Sequence, residues 1–393
     1  MYKTLKNIKD LKSKKVLLKL DLNLSFLKNG QVDPENAFRI EASLKTIKYL
    51  ISKNARIIII SYIGRPDGEY DKKYKMDSVS RVLSKYLNKN IKKLDSALPE
   101  EISKDISEMK DKDIILLENI RFYNEEIIND KIFAKKLAKL FDLYVNDSFS
   151  NAHRKHMSSC AITNFLPSYM GFRFEYEILY LNKILNSKFA NATLIMGGAK
   201  ADTKLPVIFK LQNKFEAVLL GGVLANNFLY SRGYSIGKSL FEKDLIKESK
   251  SIDSKKIILP VDVMVSKKID NKTKSDIKYI CDISKDDIIL DIGPETIKLF
   301  VKYIKKARFI LWNGPLGYFE IEKYRNSTEL IIKQIKKSKA LSYSGGGETV
   351  ALLNELKMKN AFDFVSTGGG AMLEFLSGKK LPGLESLKNN KKK

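Results

Sequence analysis

The chain has 393 residues and a formal charge of 71 − 46 = +25, with two cysteines and two histidines. That length suits two domains, each large enough to bury its own core. Two cysteines exclude a disulfide framework or a Cys-based zinc site, and no run of 18 apolar residues exists to cross a membrane. The opening Met1-Tyr2-Lys3-Thr4-Leu5-Lys6 lacks the apolar stretch of a signal peptide, so a reducing, cytoplasmic location is expected. Lys supplies 61 of the 71 basic residues and Arg only 10. The lysines are spread along the chain, and the one dense run is Asn389-Asn390-Lys391-Lys392-Lys393. Without zinc-finger spacing or an aromatic RNA-binding motif, this reads as a solvated lysine surface rather than a specific nucleic-acid interface.

Short apolar runs predict strands at Val16–Leu22, Arg56–Ser61, Ile114–Leu117, Leu143–Asn146, Thr193–Met196 and Ala217–Leu220. Others follow at Ile257–Val265, Ile288–Ile292, Phe309–Trp312, Leu341–Tyr343 and Phe364–Ser366. Most runs are continuous rather than alternating, as strands buried on both faces require. Ile40–Ser52 and Lys131–Leu140 between them show helical spacing. The expectation is an α/β chain of two similar-sized lobes, each a parallel sheet flanked by helices. A boundary is expected near Phe165–Phe172, followed by a long connecting helix over Phe174–Asn186. The second half alone carries glycine runs at its strand ends: Gly197-Gly198, Gly221-Gly222, Gly345-Gly346-Gly347 and Gly368-Gly369-Gly370.

Open parallel sheets bind ligands beyond the carboxyl ends of their strands. In the first half those ends carry Asp21, Asn23, Gly64-Arg65-Pro66, Glu118-Asn119, Arg121, Asn146-Asp147 and His153-Arg154, with Arg39 before the first helix. Four of only ten arginines thus fall where a ligand belongs, and Arg suits bidentate grip on phosphate or carboxylate. The competing reading is ion pairing with Asp147 or Glu118. In the second half, glycine runs let backbone N–H groups approach phosphates, and a following helix N-terminus adds its dipole. Gly345-Gly346-Gly347-Glu348-Thr349 leads into helical Val350–Leu356, and Gly368-Gly369-Gly370 into Ala371–Leu376. Gly197 to Lys204 brings Lys200 and Lys204 to the same edge.

Gly233-Tyr234-Ser235-Ile236-Gly237-Lys238-Ser239 imitates a P-loop, but it has three residues between its glycines instead of four and follows no strand. His153 and His156 lack a third metal ligand, and a phosphate-facing role beside Arg154 is expected instead. Cys160 and Cys281 are expected in the interior. Asp202 and Asp262 read as general bases or as structural caps, with capping the favoured expectation.

These motifs, in this order, resemble the phosphoglycerate kinase family over about Lys14 to Gly383. Carrying segments include Asp21-Leu22-Asn23, Gly64-Arg65-Pro66, Leu117-Glu118-Asn119-Ile120-Arg121-Phe122, Gly197-Gly198-Ala199-Lys200, Trp312-Asn313-Gly314-Pro315 and Ser366-Thr367-Gly368-Gly369-Gly370-Ala371. The resemblance implies reversible in-line phosphoryl transfer between 1,3-bisphosphoglycerate and ADP, giving 3-phosphoglycerate and ATP, without a covalent enzyme intermediate. It implies an N-terminal 3-phosphoglycerate domain over 1–170, a hinge helix over 171–186 and a C-terminal nucleotide domain over 187–375. Residues 376–393 would pack back on the N-terminal lobe. It also implies a monomer, while composition alone leads to the expectation of no specific nucleic-acid partner and no membrane partner.

By the same resemblance, Arg39 and Lys200 would be catalytic. Asp21, Leu22, Asn23, Arg39, Tyr62, Ile63, Gly64, Arg65, Arg121 and Arg154 would bind 3-phosphoglycerate. Lys204, Gly293, Asn313, Glu320, Gly346, Gly347, Glu348 and Thr349 would bind ADP or ATP, with Glu348 meeting Mg²⁺ directly or through water. Domain closure would expel water. Three positions depart from the family pattern: Lys19 and Tyr62 stand where the family has Arg and His, and Glu348 where it has Asp. Tyr62 and Glu348 leave the alternative of a divergent paralogue of weak or altered activity, and the basic surface that of a non-catalytic binding protein.

Overall fold

The computed structural model describes residues 2–27, 29–34, 37–252 and 255–388; the basic run Asn389–Lys393 lies outside them. The chain forms two compact units. One ends at Leu179 and resumes at Lys380, and the other is Tyr180–Lys379.

The first unit is built on six strands: β1 Lys15–Lys19, β2 Arg56–Ile60, β3 Lys92–Lys93, β4 Ile114–Leu116, β5 Leu143–Asn146 and β6 Ser168–Met170. They pair in parallel, in the order β3-β4-β2-β1-β5-β6. The apolar runs form strands because both faces are covered. Val16, Leu17, Leu18 and Ile57 to Ile60 have no solvent exposure, and each such side chain contributes roughly 1.5–3 kcal/mol. Helix Phe38–Ser52 covers the sheet through Ile40, Ile47 and Leu50. Since β1 pairs β2 on one side and β5 on the other, the strand order reverses at β1. Asp21 follows at that switch point, where α/β sheets open a ligand crevice.

The second unit repeats the plan with β7 Ala192–Met196, β8 Ala217–Leu220, β9 Ile257–Ile258, β13 Phe309–Asn313, β14 Leu341–Gly345 and β15 Phe364–Ser366. Their order is β15-β14-β13-β7-β8-β9, again all parallel. The strand order reverses at β7, so Gly197-Gly198 occupies the switch point.

Parallel sheets alone were expected here, but the unit also carries a three-stranded antiparallel sheet. It comprises β10 Asp262–Ser266, β11 Ser275–Tyr279 and β12 Ile288–Ile292, ordered β11-β10-β12. The expected single strand Ile257–Val265 divides at Pro260, which has no N–H for a ladder. Its first part joins the parallel sheet and its second the antiparallel one. Strand β11 is an exposed, charged edge and carries no apolar run. Cys281, just beyond it, is exposed rather than interior, whereas Cys160 is buried.

Helix Phe172–Asn186 continues from one unit into the other. Its first turn is held by Asp147, whose Oδ1 accepts the N–H groups of Arg173 at 2.7 Å and Phe174 at 3.2 Å. Helix Pro382–Lys388 returns to the first unit, where Gly383 N–H donates to the Ala152 carbonyl at 2.8 Å. None of the described helices is long and apolar enough to cross a membrane.

Candidate active site

In the first unit the loops after β1, β2, β4 and β5 are tied together by polar side chains. Asn23 Oδ1 accepts from Gly64 N–H at 2.8 Å, and Arg121 Nη1 donates to the Gly64 carbonyl at 2.7 Å. Gly64 has φ +69°, and a Cβ there would lie 2.3 Å from the Tyr74 ring, so only glycine fits this turn. Asp21 is the hub. Its carboxylate accepts from Tyr62 Oη at 2.9 Å, from Asn23 N–H at 3.1 Å and from Ser150 Oγ, and it pairs with Arg39.

Arg121 is 5% exposed and lies 3.7 Å from the Tyr62 ring centroid. Burial lowers its guanidinium pKa, and the charges of Arg154 and Arg65 lower it further, against opposing contributions from Tyr62 and Glu126. Three arginines therefore press on one another. Among the described residues neither Arg65 nor Arg154 has a carboxylate partner. Asp147 caps a helix and Glu118 pairs with Lys93 at 2.6 Å, so neither carboxylate neutralises the cluster. Leu22 and Ile63 are fully buried; Leu22 N–H donates to Ser61 Oγ at 3.1 Å, and the Ile63 carbonyl accepts from Asn119 Nδ2 at 2.8 Å. His153 stands beside Arg154, and burial followed by that charge pushes it down to about 4. His156 instead faces inward, with Nδ1 3.5 Å from Glu126 Oε1.

Lys19 is also buried, 3.8 Å from Glu126. Ser158 bridges the two, receiving from Lys19 and donating to Glu126 at 2.7 Å. Burial lowers the Lys19 pKa, and Glu126 opposes the shift. Burial pushes the Glu126 carboxyl up, but Lys19, His156 and Ser158 outweigh it and hold it below its ordinary value. A serine hydroxyl thus bridges to the carboxylate where lysine lacks a planar fork. Ser150, Asn151 and Ser158 carried no signal in the sequence, because a serine or asparagine in a loop is ordinary.

The second unit holds a cavity of about 400 Å³ beside β10, β12 and the loop after β7. Leu229, Val263, Leu290, Leu316 and Phe319 give it apolar walls. Glu320, Gly198 and Glu348 also line it. Volume and lining suit a nucleoside-sized ligand. Gly198 has φ +87°, and a Cβ there would lie 2.7 Å from Glu348 Oε2 and 2.9 Å from Lys204 Nζ. The glycine therefore lets a carboxylate and an ammonium converge. Lys204 is 4% exposed; burial lowers its pKa and Glu348 offsets the shift. Lys200, four residues earlier, is exposed.

Helix Gly347–Glu355 begins three residues earlier than expected, with open space beside Gly347. Gly346 precedes it, and Glu348 stands in its first turn. Asn313 Nδ2 donates to the Gly345 carbonyl at 2.7 Å, and Thr349 Oγ1 accepts from Gly314 N–H at 2.8 Å. Both side chains are buried; Asn313 ties two strand ends, and Thr349 ties the first turn of its helix to the end of β13. Gly293 packs on Asp262, whose carboxylate caps helix Pro294–Lys306 through the N–H groups of Glu295 at 3.0 Å and Thr296 at 2.7 Å. Gly233 follows helix Gly222–Ser231, so the P-loop lookalike has no strand before it. The apolar wall escaped sequence reading because its residues come from four separated segments, each indistinguishable from core.

The phosphoglycerate kinase family model matches residues 5–379. The chain is 44% identical over 387 residues to a protein of Dictyoglomus turgidum named phosphoglycerate kinase, covering 97% of each chain. It is 41% identical over 392 residues to one of Pelotomaculum thermopropionicum, covering 98% of each. Among solved structures, phosphoglycerate kinase from Pyrococcus horikoshii aligns with TM-score 0.88 at 31% identity, over 99% of each chain. That from Coxiella burnetii aligns with TM-score 0.86 at 33% identity, over the full length of both.

Proposed function

The chain belongs to the phosphoglycerate kinase family, and from that membership we propose that its first unit holds 3-phosphoglycerate and its second the nucleotide. It is an ATP-dependent phosphotransferase with a carboxyl acceptor, moving a phosphoryl group reversibly between 1,3-bisphosphoglycerate and ADP. The observation that carries the division is the surplus of positive charge at Arg65, Arg121 and Arg154, beside an Asp21 already engaged by Arg39. A phosphorylated carboxylate supplies the missing anion, and arginine grips it bidentately.

The nucleoside lies in the apolar cavity of the second unit, with Glu320 at the ribose and the phosphates toward Lys204 and the N–H groups of Gly346 and Gly347. Glu348 and phosphate oxygens suit Mg²⁺, which takes few carboxylates and keeps its waters. When bound, Mg²⁺ neutralises phosphate charge. The acceptor carboxylate is ionised near neutral pH, so no general base is needed. The burden falls on positioning and on neutralising the transferring group, which Lys200 and Arg39 perform. Helix Phe172–Asn186 serves as the hinge.

Steady-state kinetics of Arg39→Ala and Arg154→Ala test this division. Each raises the KM for 3-phosphoglycerate at least about tenfold, the loss of one charge-assisted contact, and leaves that for ATP within about twofold. An unchanged KM for 3-phosphoglycerate in both contradicts it.

A further inference from the structure

Tyr62 has an unusual pair of neighbours. Its hydroxyl donates to Asp21 Oδ1 at 2.9 Å, and its ring lies 3.7 Å from the centre of the Arg121 guanidinium. The side chain is 4% exposed, so both its polar tip and its face are already used inside the protein. A hydroxyl that donates its one proton to a carboxylate has none left for a ligand's phosphate or carboxylate oxygen. Tyr62 is therefore poorly placed to touch a substrate, yet it contacts two residues that are.

The other contacts of those two residues explain what the tyrosine adds. Arg121 donates to the Gly64 carbonyl at 2.7 Å and to Asn151 Oδ1 at 3.4 Å, which fixes the edge of its plane but not its tilt. A ring against its face fixes the tilt. Asp21 takes Ser150, Asn23 N–H and Arg39 in addition. The tyrosine bond holds Oδ1 while Arg39 pairs through Oδ2.

We propose that Tyr62 is a positioning residue for 3-phosphoglycerate. It orients Arg121 by stacking and Asp21, hence Arg39, by hydrogen bonding, without touching the substrate itself. This rests on the reading of the first unit as the 3-phosphoglycerate site.

Kinetics of Tyr62→Phe and Tyr62→Leu in the full chain test it. Tyr62→Phe keeps the stack and loses the hydroxyl. It raises the KM for 3-phosphoglycerate by up to about tenfold, the size of one hydrogen bond to a charged group, with the ATP KM unchanged. Tyr62→Leu also loses the stack and raises that KM further, by about another threefold to tenfold. Arg121→Lys, which keeps charge but not the flat face, then costs much less in the Tyr62→Leu background than alone. A purely structural tyrosine would move both KM values together and show no such coupling. That result, or normal 3-phosphoglycerate kinetics in both variants, overturns the proposal. Normal kinetics overturn the substrate reading as well only if Arg154→Ala is equally silent.

Discussion

Lys200 and Lys204 stand four residues apart on one turn, yet they differ in what they can do. Lys204 is buried beside Glu348 and its Nζ reaches the Lys200 carbonyl at 3.4 Å, which suits it to hold phosphates. Lys200 is exposed and can meet charge that develops only during transfer. Lys200→Ala should therefore lower kcat by about a hundredfold or more and leave both KM values within about twofold. A second residue-scale prediction concerns Asp291, which is 2% exposed and accepts from Ser327 and from Ile292 N–H at 2.9 Å, with no salt-bridge cation among the described residues. Burial raises its pKa to about 7. Its folded form thus keeps a proton that the unfolded form has lost. The stabilisation this brings is complete at low pH and disappears as pH rises through about 7. Burial likewise raises Asp147 to about 6, while His153, lowered to about 4, acts in the opposite sense below pH 6.5. Between pH 6.5 and 8, Asp291 should cost the protein about 1 kcal/mol, and Asp291→Asn should flatten that fall in denaturant titrations.

At the scale of elements, Asp262 shows how the core supports the apolar cavity of the second unit. Its carboxylate caps helix Pro294–Lys306, while its own strand supplies the cavity wall through Val263. Asp262→Ala should cost about 1–2 kcal/mol and lower the unfolding midpoint of the second unit by roughly 4 °C. The parallel sheets were legible because continuous apolar runs such as Arg56–Ile60 have few other uses. The arginine cluster was legible because arginine is scarce in this chain. Strand β11 was not, since a charged edge strand has no apolar period to read. The same holds for β3, which is two lysines. Asp262 was legible as a cap, but its strand was merged with its neighbour because Pro260 interrupts the run without changing its composition. Tyr62 was legible as a departure from the family pattern, while its stacking on Arg121 depends on a contact between loops 59 residues apart in sequence.

At the scale of the molecule, the last described helix belongs to the unit built mainly from the start of the chain. Leu381, Leu384 and Leu387 are all buried there, and Gly383 meets Ala152 two residues before Arg154. Three buried leucines stabilise the first unit by about 5 kcal/mol. Truncation after Lys379 should therefore weaken 3-phosphoglycerate binding and destabilise the first unit, with nucleotide affinity preserved in calorimetric titrations. The most direct test of the whole account is a coupled assay on the purified chain. Mg-ATP and 3-phosphoglycerate are supplied, and 1,3-bisphosphoglycerate is followed through NADH oxidation by glyceraldehyde-3-phosphate dehydrogenase. Turnover that requires both substrates and falls about a hundredfold in Lys200→Ala, with both still bound, is the predicted result. A folded protein that binds nucleotide and 3-phosphoglycerate but transfers nothing, or a Lys200→Ala variant of normal turnover, would contradict it.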